Sequence, residues 1–116
     1  MTVIFDPDEI LEQIGGDKEL LVDIINIFIE TYPEDLKSLH EAIVESDPET
    51  IRKNAHRMKG SISNFGKYKA FEYAKSIEER AREGDISEIT EMYDELVGHL
   101  NSLEREVKSY RDTTIA

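Results

Sequence analysis

Residues 54–66 read NAHRMKGSISNFG and gather the side chains best suited to chemistry in a chain that contains no cysteine. If this stretch is a helix, Ile51, Ala55, Met58, Ile62 and Phe65 define an inward direction. At about 100° per residue, His56 then points about 140° away from that direction, towards solvent. Arg52, Lys59, Gly60 and Ser63 fall on the same outer strip, with Lys53 beside them. A ring among cations is favoured in its neutral form, whose lone pair is a nucleophile near pH 7. The same cations suit an anionic group carried on that ring, with Lys59 placed to donate to it. Gly60 costs about 1 kcal/mol relative to alanine inside a helix and serves no turn there. Its value is space, either for a bulky group beside the imidazole or for the backbone of a docking protein.

The remaining histidines lack this setting. His40 follows Leu39 at the edge of one apolar stripe and His99 precedes Leu100 on another, so both read as boundary or surface residues without a Lys-Gly pair downstream. A di-iron bundle needs Glu-x-x-His repeats, but the residues three before the histidines are Lys37, Lys53 and Leu96. Ser63 lies two turns from His56, too far for a simple nucleophile–base contact along one helix. With no glycine-rich nucleotide loop, the chain reads as neither a kinase nor any other enzyme in its own right.

Composition narrows the partners. The net charge of −12 disfavours nucleic acid and anionic lipid, which need a basic face. That charge is unevenly spread: residues 1–50 carry 2 Lys/Arg against 14 Asp/Glu, residues 51–82 carry 9 against 3, and residues 83–116 carry 3 against 9. The basic segment holds the histidine motif, although pairing of acidic and basic helices would produce the same division. No run approaches the roughly 18 apolar residues of a membrane span, and the N-terminus lacks the pattern of a signal peptide. With these features the cytoplasm is the expected location, and the absence of cysteine agrees with a reducing compartment.

Five segments are helical by periodicity, and no strand pattern competes. Asp6-Pro7 opens a short helix with Ile10, Leu11 and Ile14 on one side, ended by Gly15-Gly16. Asp17 caps a long helix with Leu21, Ile25, Phe28, Tyr32, Leu36, Leu39 and Ile43 on its core face. A second stripe of Leu20, Ile24 and Ile27 predicts burial on two sides, and Pro33 predicts a bend or break. Asp47-Pro48 opens the motif helix, which Gly66 stops. A fourth helix over about 69–82 turns Ala70, Tyr73, Ala74, Ile77 and Ala81 inward. Gly84 ends it and Asp85 is expected to cap the last helix at once. That helix follows Ile89, Met92, Leu96, Leu100, Leu103, Val107 and Tyr110, with about 111–116 as a flexible tail. The expected fold is all-α: one domain over 1–116, an antiparallel up-down-up-down four-helix bundle capped by the short N-terminal helix, with one closed core that favours a monomer.

Ala55, His56, Arg57, Met58, Lys59, Gly60 and Gly66 resemble the signature of the histidine-containing phosphotransfer (HPt) domain family. That signature is an Ala-His pair, any residue, an apolar residue, Lys-Gly, and a second glycine six positions later. Methionine replaces the more frequent leucine with similar volume. The resemblance covers nearly the whole chain, since residues 5–36 look like the family's first two helices and AREGD like its link to the last. It implies that His56 accepts a phosphoryl group from a receiver-domain aspartate and passes it to the aspartate of another receiver domain, in response regulators or hybrid histidine kinases. By the same resemblance Lys59 steadies the phosphoryl group and Gly60 makes room for it and for the partner. Arg52, Lys53 and Ser63 are candidate partner contacts beside them. The chain needs no cofactor of its own on this reading, because Mg2+ comes with the receiver. The competing expectation is an unphosphorylated bundle that docks on a receiver or kinase and regulates it.

Overall fold

A computed structural model describes residues 3–115. Its helices are α1 (Pro7–Gln13), α2 (Lys18–Val44), α3 (Pro48–Ser63), α4 (Lys69–Arg82) and α5 (Ile89–Ile115), and no strand occurs among the described residues. Three starts follow from local hydrogen bonding. The carboxylates of Asp6, Asp17 and Asp47 accept from the backbone N–H groups of Glu9, Leu20 and Thr50 at 3.3, 3.0 and 3.4 Å. Pro7 and Pro48 then occupy first-turn positions where no N–H is needed.

Packing closes these helices into a ring in which α2, α3, α4 and α5 each touch the next and α5 returns to α2. Cross-helix contacts fix the directions. Arg57 meets Asp35 and Asn54 meets the Ser38 carbonyl, so α3 runs antiparallel to α2. Tyr32 donates to Glu104, while Arg111 donates to Asn26 at 3.1 Å, so α5 is antiparallel to α2. Leu21, Ile25, Leu39, Ile51, Leu96 and Leu100 lie fully buried in the shared core. Where α3 ends and α4 begins, Phe65 packs edge to face with Phe5 and Phe28, and Phe28 stacks on Tyr32 at 4.8 Å.

Several sequence expectations need correction. Of the bend or break expected at Pro33, the break does not occur: α2 passes through it, because core residues on both sides, Phe28, Tyr32 and Leu39, hold the helix against the bundle. That packing outweighs the local cost of about 3 kcal/mol. The second stripe of α2 is not buried throughout: Leu20 and Ile27 are exposed and Ile24 is half-buried. In the register set by Arg57–Asp35, α3 ends before it reaches their turns. Asp85 caps no helix start; it accepts from the Ser87 N–H and hydroxyl at 3.3 and 2.8 Å, and α5 begins only at Ile89. Residues 111–115, expected as a tail, continue α5, with Arg111 tied to Asn26; Ala116 lies outside the described residues.

Gly66 serves the chain reversal after α3. Its φ of +111° lies where side chains other than glycine are strained, and a Cβ there would come within 2.4 Å of the Tyr68 ring. The second glycine of the motif is therefore explained by the fold alone.

Candidate functional site

The apolar face of α3 is buried through Ile51, Ala55, Met58 and Ile62, and this turns His56 outward with 64% of its side chain exposed. It is not surrounded by cations alone. Glu78, from α4, brings a carboxylate to the ring, with Oε2 2.8 Å from His56 Nδ1. A carboxylate can only accept, so Nδ1 carries the proton and the lone pair of the neutral ring resides on Nε2. Nε2 has no hydrogen-bond partner among the described residues.

Glu78 itself is 2% exposed in its side chain, and cations balance it. Lys59 Nζ lies 2.6 Å from Oε1, off the angles of a well-formed hydrogen bond, so the contact is chiefly an ion pair. Arg82 Nη2 donates to Oε2 at 3.0 Å from one turn along α4. Burial pushes the Glu78 carboxyl up, but the close Lys59 ammonium and the hydrogen bond and charge of His56 outweigh it and hold the group below the ordinary carboxylate range. It is therefore ionised at neutral pH. The cationic field expected around His56 is accordingly offset by a buried anion.

Lys59 lies with the histidine as expected, but its ammonium is engaged by Glu78 and only 25% of its side chain is exposed. Arg52 is held by Glu49 through contacts of 2.7 and 3.1 Å. Lys53 is exposed, and Ser63 is exposed with its hydroxyl donating to the Gly60 carbonyl at 2.6 Å. His40 lies beside the Tyr93 ring and His99 stacks on Tyr73, both away from this cluster. Among the described residues, no group of three or more His, Asp or Glu side chains is placed to hold a metal ion.

Gly60 answers to nothing inside the chain, since a Cβ built there meets no atom within 4 Å. Gly60→Ala is accordingly expected to raise stability by about 0.5–1 kcal/mol in chemical denaturation. If the space serves a partner, the same variant takes up phosphoryl from a receiver more slowly than wild type. Unchanged transfer by both Gly60→Ala and Gly60→Leu would remove that explanation.

Sequence reading missed Glu78 and Arg82. A signal for Glu78 was present: it lies four residues after Ala74 and three before Ala81, at the edge of the inward stripe of α4. A carboxylate there needs a buried cation or donor opposite it. Which helix supplies that partner is a property of packing.

A family model described as "Hpt domain" matches residues 23–107 of the chain. The fold is similar to the crystal structure of histidine-containing phosphotransfer protein B (HptB) from Pseudomonas aeruginosa PAO1. The two share 26% sequence identity and a TM-score of 0.84, over 94% of this chain and 95% of that one. A comparison with curated proteins finds no match. With a helical bundle that exposes a histidine in the Ala-His-x-Met-Lys-Gly setting, the chain belongs to the Hpt domain family and has a histidine phosphotransfer role in phosphorelay.

Proposed function

We propose that His56 Nε2 is the atom that receives and surrenders the phosphoryl group. The observation that carries this reading is the 2.8 Å contact between Nδ1 and Glu78, which directs the ring's lone pair to its exposed edge. Nε2 attacks phosphorus of a receiver's aspartyl phosphate in line. The P–Nε2 bond forms as the P–O bond breaks, and the aspartate leaves with the electron pair. Nδ1 keeps its proton against Glu78, which steadies positive charge on the ring during attack. The reverse step delivers the phosphoryl group to the carboxylate of a second receiver. Mg2+, supplied by the receiver, neutralises charge on the transferring oxygens.

Positioning and electrostatics suffice for such a transfer, so the chain acts as a carrier without a reaction of its own. Lys59 serves through Glu78, and the Lys-Gly pair of the family motif assigns it the part of meeting a phosphoryl oxygen once one arrives. Exposed Leu20 and Ile27 on α2 supply apolar contact for the docking receiver, with Lys53 and Ser63 on the rim of the histidine strip. A monomer acting in the cytoplasm is consistent with the cysteine-free sequence and with described helices of which none is long and apolar enough to cross a membrane.

The test is intact mass at neutral to alkaline pH, where phosphohistidine survives, after mixing with receivers already phosphorylated on aspartate. A gain of one phosphoryl group, mapped by peptide fragmentation to His56, is expected. Measurable binding to a receiver with no gain would instead identify an unphosphorylated docking module.

A further inference from the structure

Arg82 is absent from the histidine motif and lies on another helix, yet it donates to the same oxygen that holds the imidazole. Glu78 Oε2 takes His56 Nδ1 at 2.8 Å and Arg82 Nη2 at 3.0 Å, while Oε1 faces Lys59 at 2.6 Å. The carboxylate thus accepts two hydrogen bonds on Oε2 and meets a further cation at Oε1. A buried carboxylate bonded only to an imidazole would stabilise the doubly protonated ring, which has no lone pair at Nε2. Two cations on that carboxylate oppose this.

We propose that Arg82 is a positioning residue for phosphotransfer: it pins Glu78 Oε2 and offsets its charge, so that Glu78 orients the His56 ring without fixing a second proton on it. This rests on His56 being the phosphoryl acceptor. The charged groups around the ring leave this role to few residues. On α3, Lys59 is committed to Oε1, and Arg52, close enough to feel the Glu78 charge, is paired with Glu49. On α2, Asp35 is engaged by Arg57. The acidic residues of α5 that form ion pairs meet other partners, Glu95 with His99, Glu104 with Lys108 and Asp112 with Arg111. Just before α5, Glu88 meets Arg80. Arg82 is also a cation in the last turn of α4, where any basic side chain favours the helix terminus. That role alone would affect stability and leave the protonation of His56 unchanged.

Arg82→Gln separates the two roles, with Arg82→Lys as the charge-preserving control. Two readouts apply to the full chain. The first is the ring-nitrogen NMR signals of His56 between pH 5 and 9, which need no phosphorylation. The second is the rate of phosphorylation by potassium phosphoramidate, in which the P–Nε2 bond forms as P–NH2 breaks and ammonia leaves with a solvent proton. In Arg82→Gln, the doubly protonated ring is expected to persist to higher pH, and the rate at pH 6 to fall about two- to fivefold below wild type, with convergence by pH 9. Arg82→Lys is expected to restore both. Since 58% of the Arg82 side chain is exposed, high salt should shrink the difference. Unmoved NMR signals, or a rate lowered equally at every pH, would overturn the proposal. Failure of wild type to label at His56 would instead overturn the assignment of the acceptor, and the NMR readout would still decide the role of Arg82 at the ring.

Discussion

His56→Gln is expected to abolish phosphoryl uptake in the mass assay, to below a thousandth of the wild-type rate, while leaving the fold and receiver binding intact. Glutamine is neutral, of similar reach, and can still donate an N–H to Glu78, but it has no ring nitrogen with a free lone pair. The stability change should stay within about 0.5 kcal/mol, because the side chain is largely exposed and Glu78 keeps Lys59 and Arg82. No other histidine offers a substitute. His99 is stacked on Tyr73, and its Nε2 lies 3.8 Å from Glu95, beyond hydrogen-bond range. His40 lies beside the Tyr93 ring on α2, with no hydrogen-bonded carboxylate to orient it. Retention of a phosphoryl group by His56→Gln would place the nucleophile elsewhere. Loss of receiver binding in a folded variant would mean that the imidazole is also a docking contact.

Much of the fold was legible because its determinants are local. Asp6, Asp17 and Asp47 each cap a helix through a donor three residues away, and the apolar spacing of α2, α3, α4 and α5 marks the faces that meet. The errors lie where a local tendency meets a distant constraint. Pro33 weakens α2 locally, yet packing carries the helix through it. Leu20 and Ile27 have the spacing of core residues, but α3 is too short to cover them. The site divides the same way. His56, Lys59 and Gly60 share one helical strip and are read from spacing, whereas Glu78 lies 22 residues from the histidine and meets it only because α3 and α4 pack together. A polar residue at the edge of an apolar stripe signals that such a partner exists without naming it.

Replacement of that partner gives the second large effect. With Glu78→Leu, Nδ1 loses its acceptor, the ring is free to change tautomer, and Lys59 and Arg82 are left beside it without the carboxylate they balance. Phosphotransfer is expected to fall about 10- to 100-fold, the loss seen when the hydrogen-bond partner behind a metal-bound histidine is removed. Glu78→Gln should lie between Leu and wild type, since its carbonyl still accepts from Nδ1 while the charge is gone. Stability follows a different rule. Lys59 and Arg82 are partly exposed and can turn to water, so neither variant leaves a fully buried, unpaired cation. Because folding lowers the Glu78 carboxyl below its ordinary value of 4.5, its ionised form stabilises the native state. That contribution is fully present above about pH 4.5 and is lost as pH falls through the lower folded-state value. The gap in urea midpoint between wild type and Glu78→Gln should therefore narrow as pH falls below about 4.5 and close on further acidification. A wild-type transfer rate in Glu78→Leu would show that His56 needs no orienting carboxylate. A midpoint gap that persists unchanged in acid would show that shape, and not charge, is what Glu78 contributes to the fold.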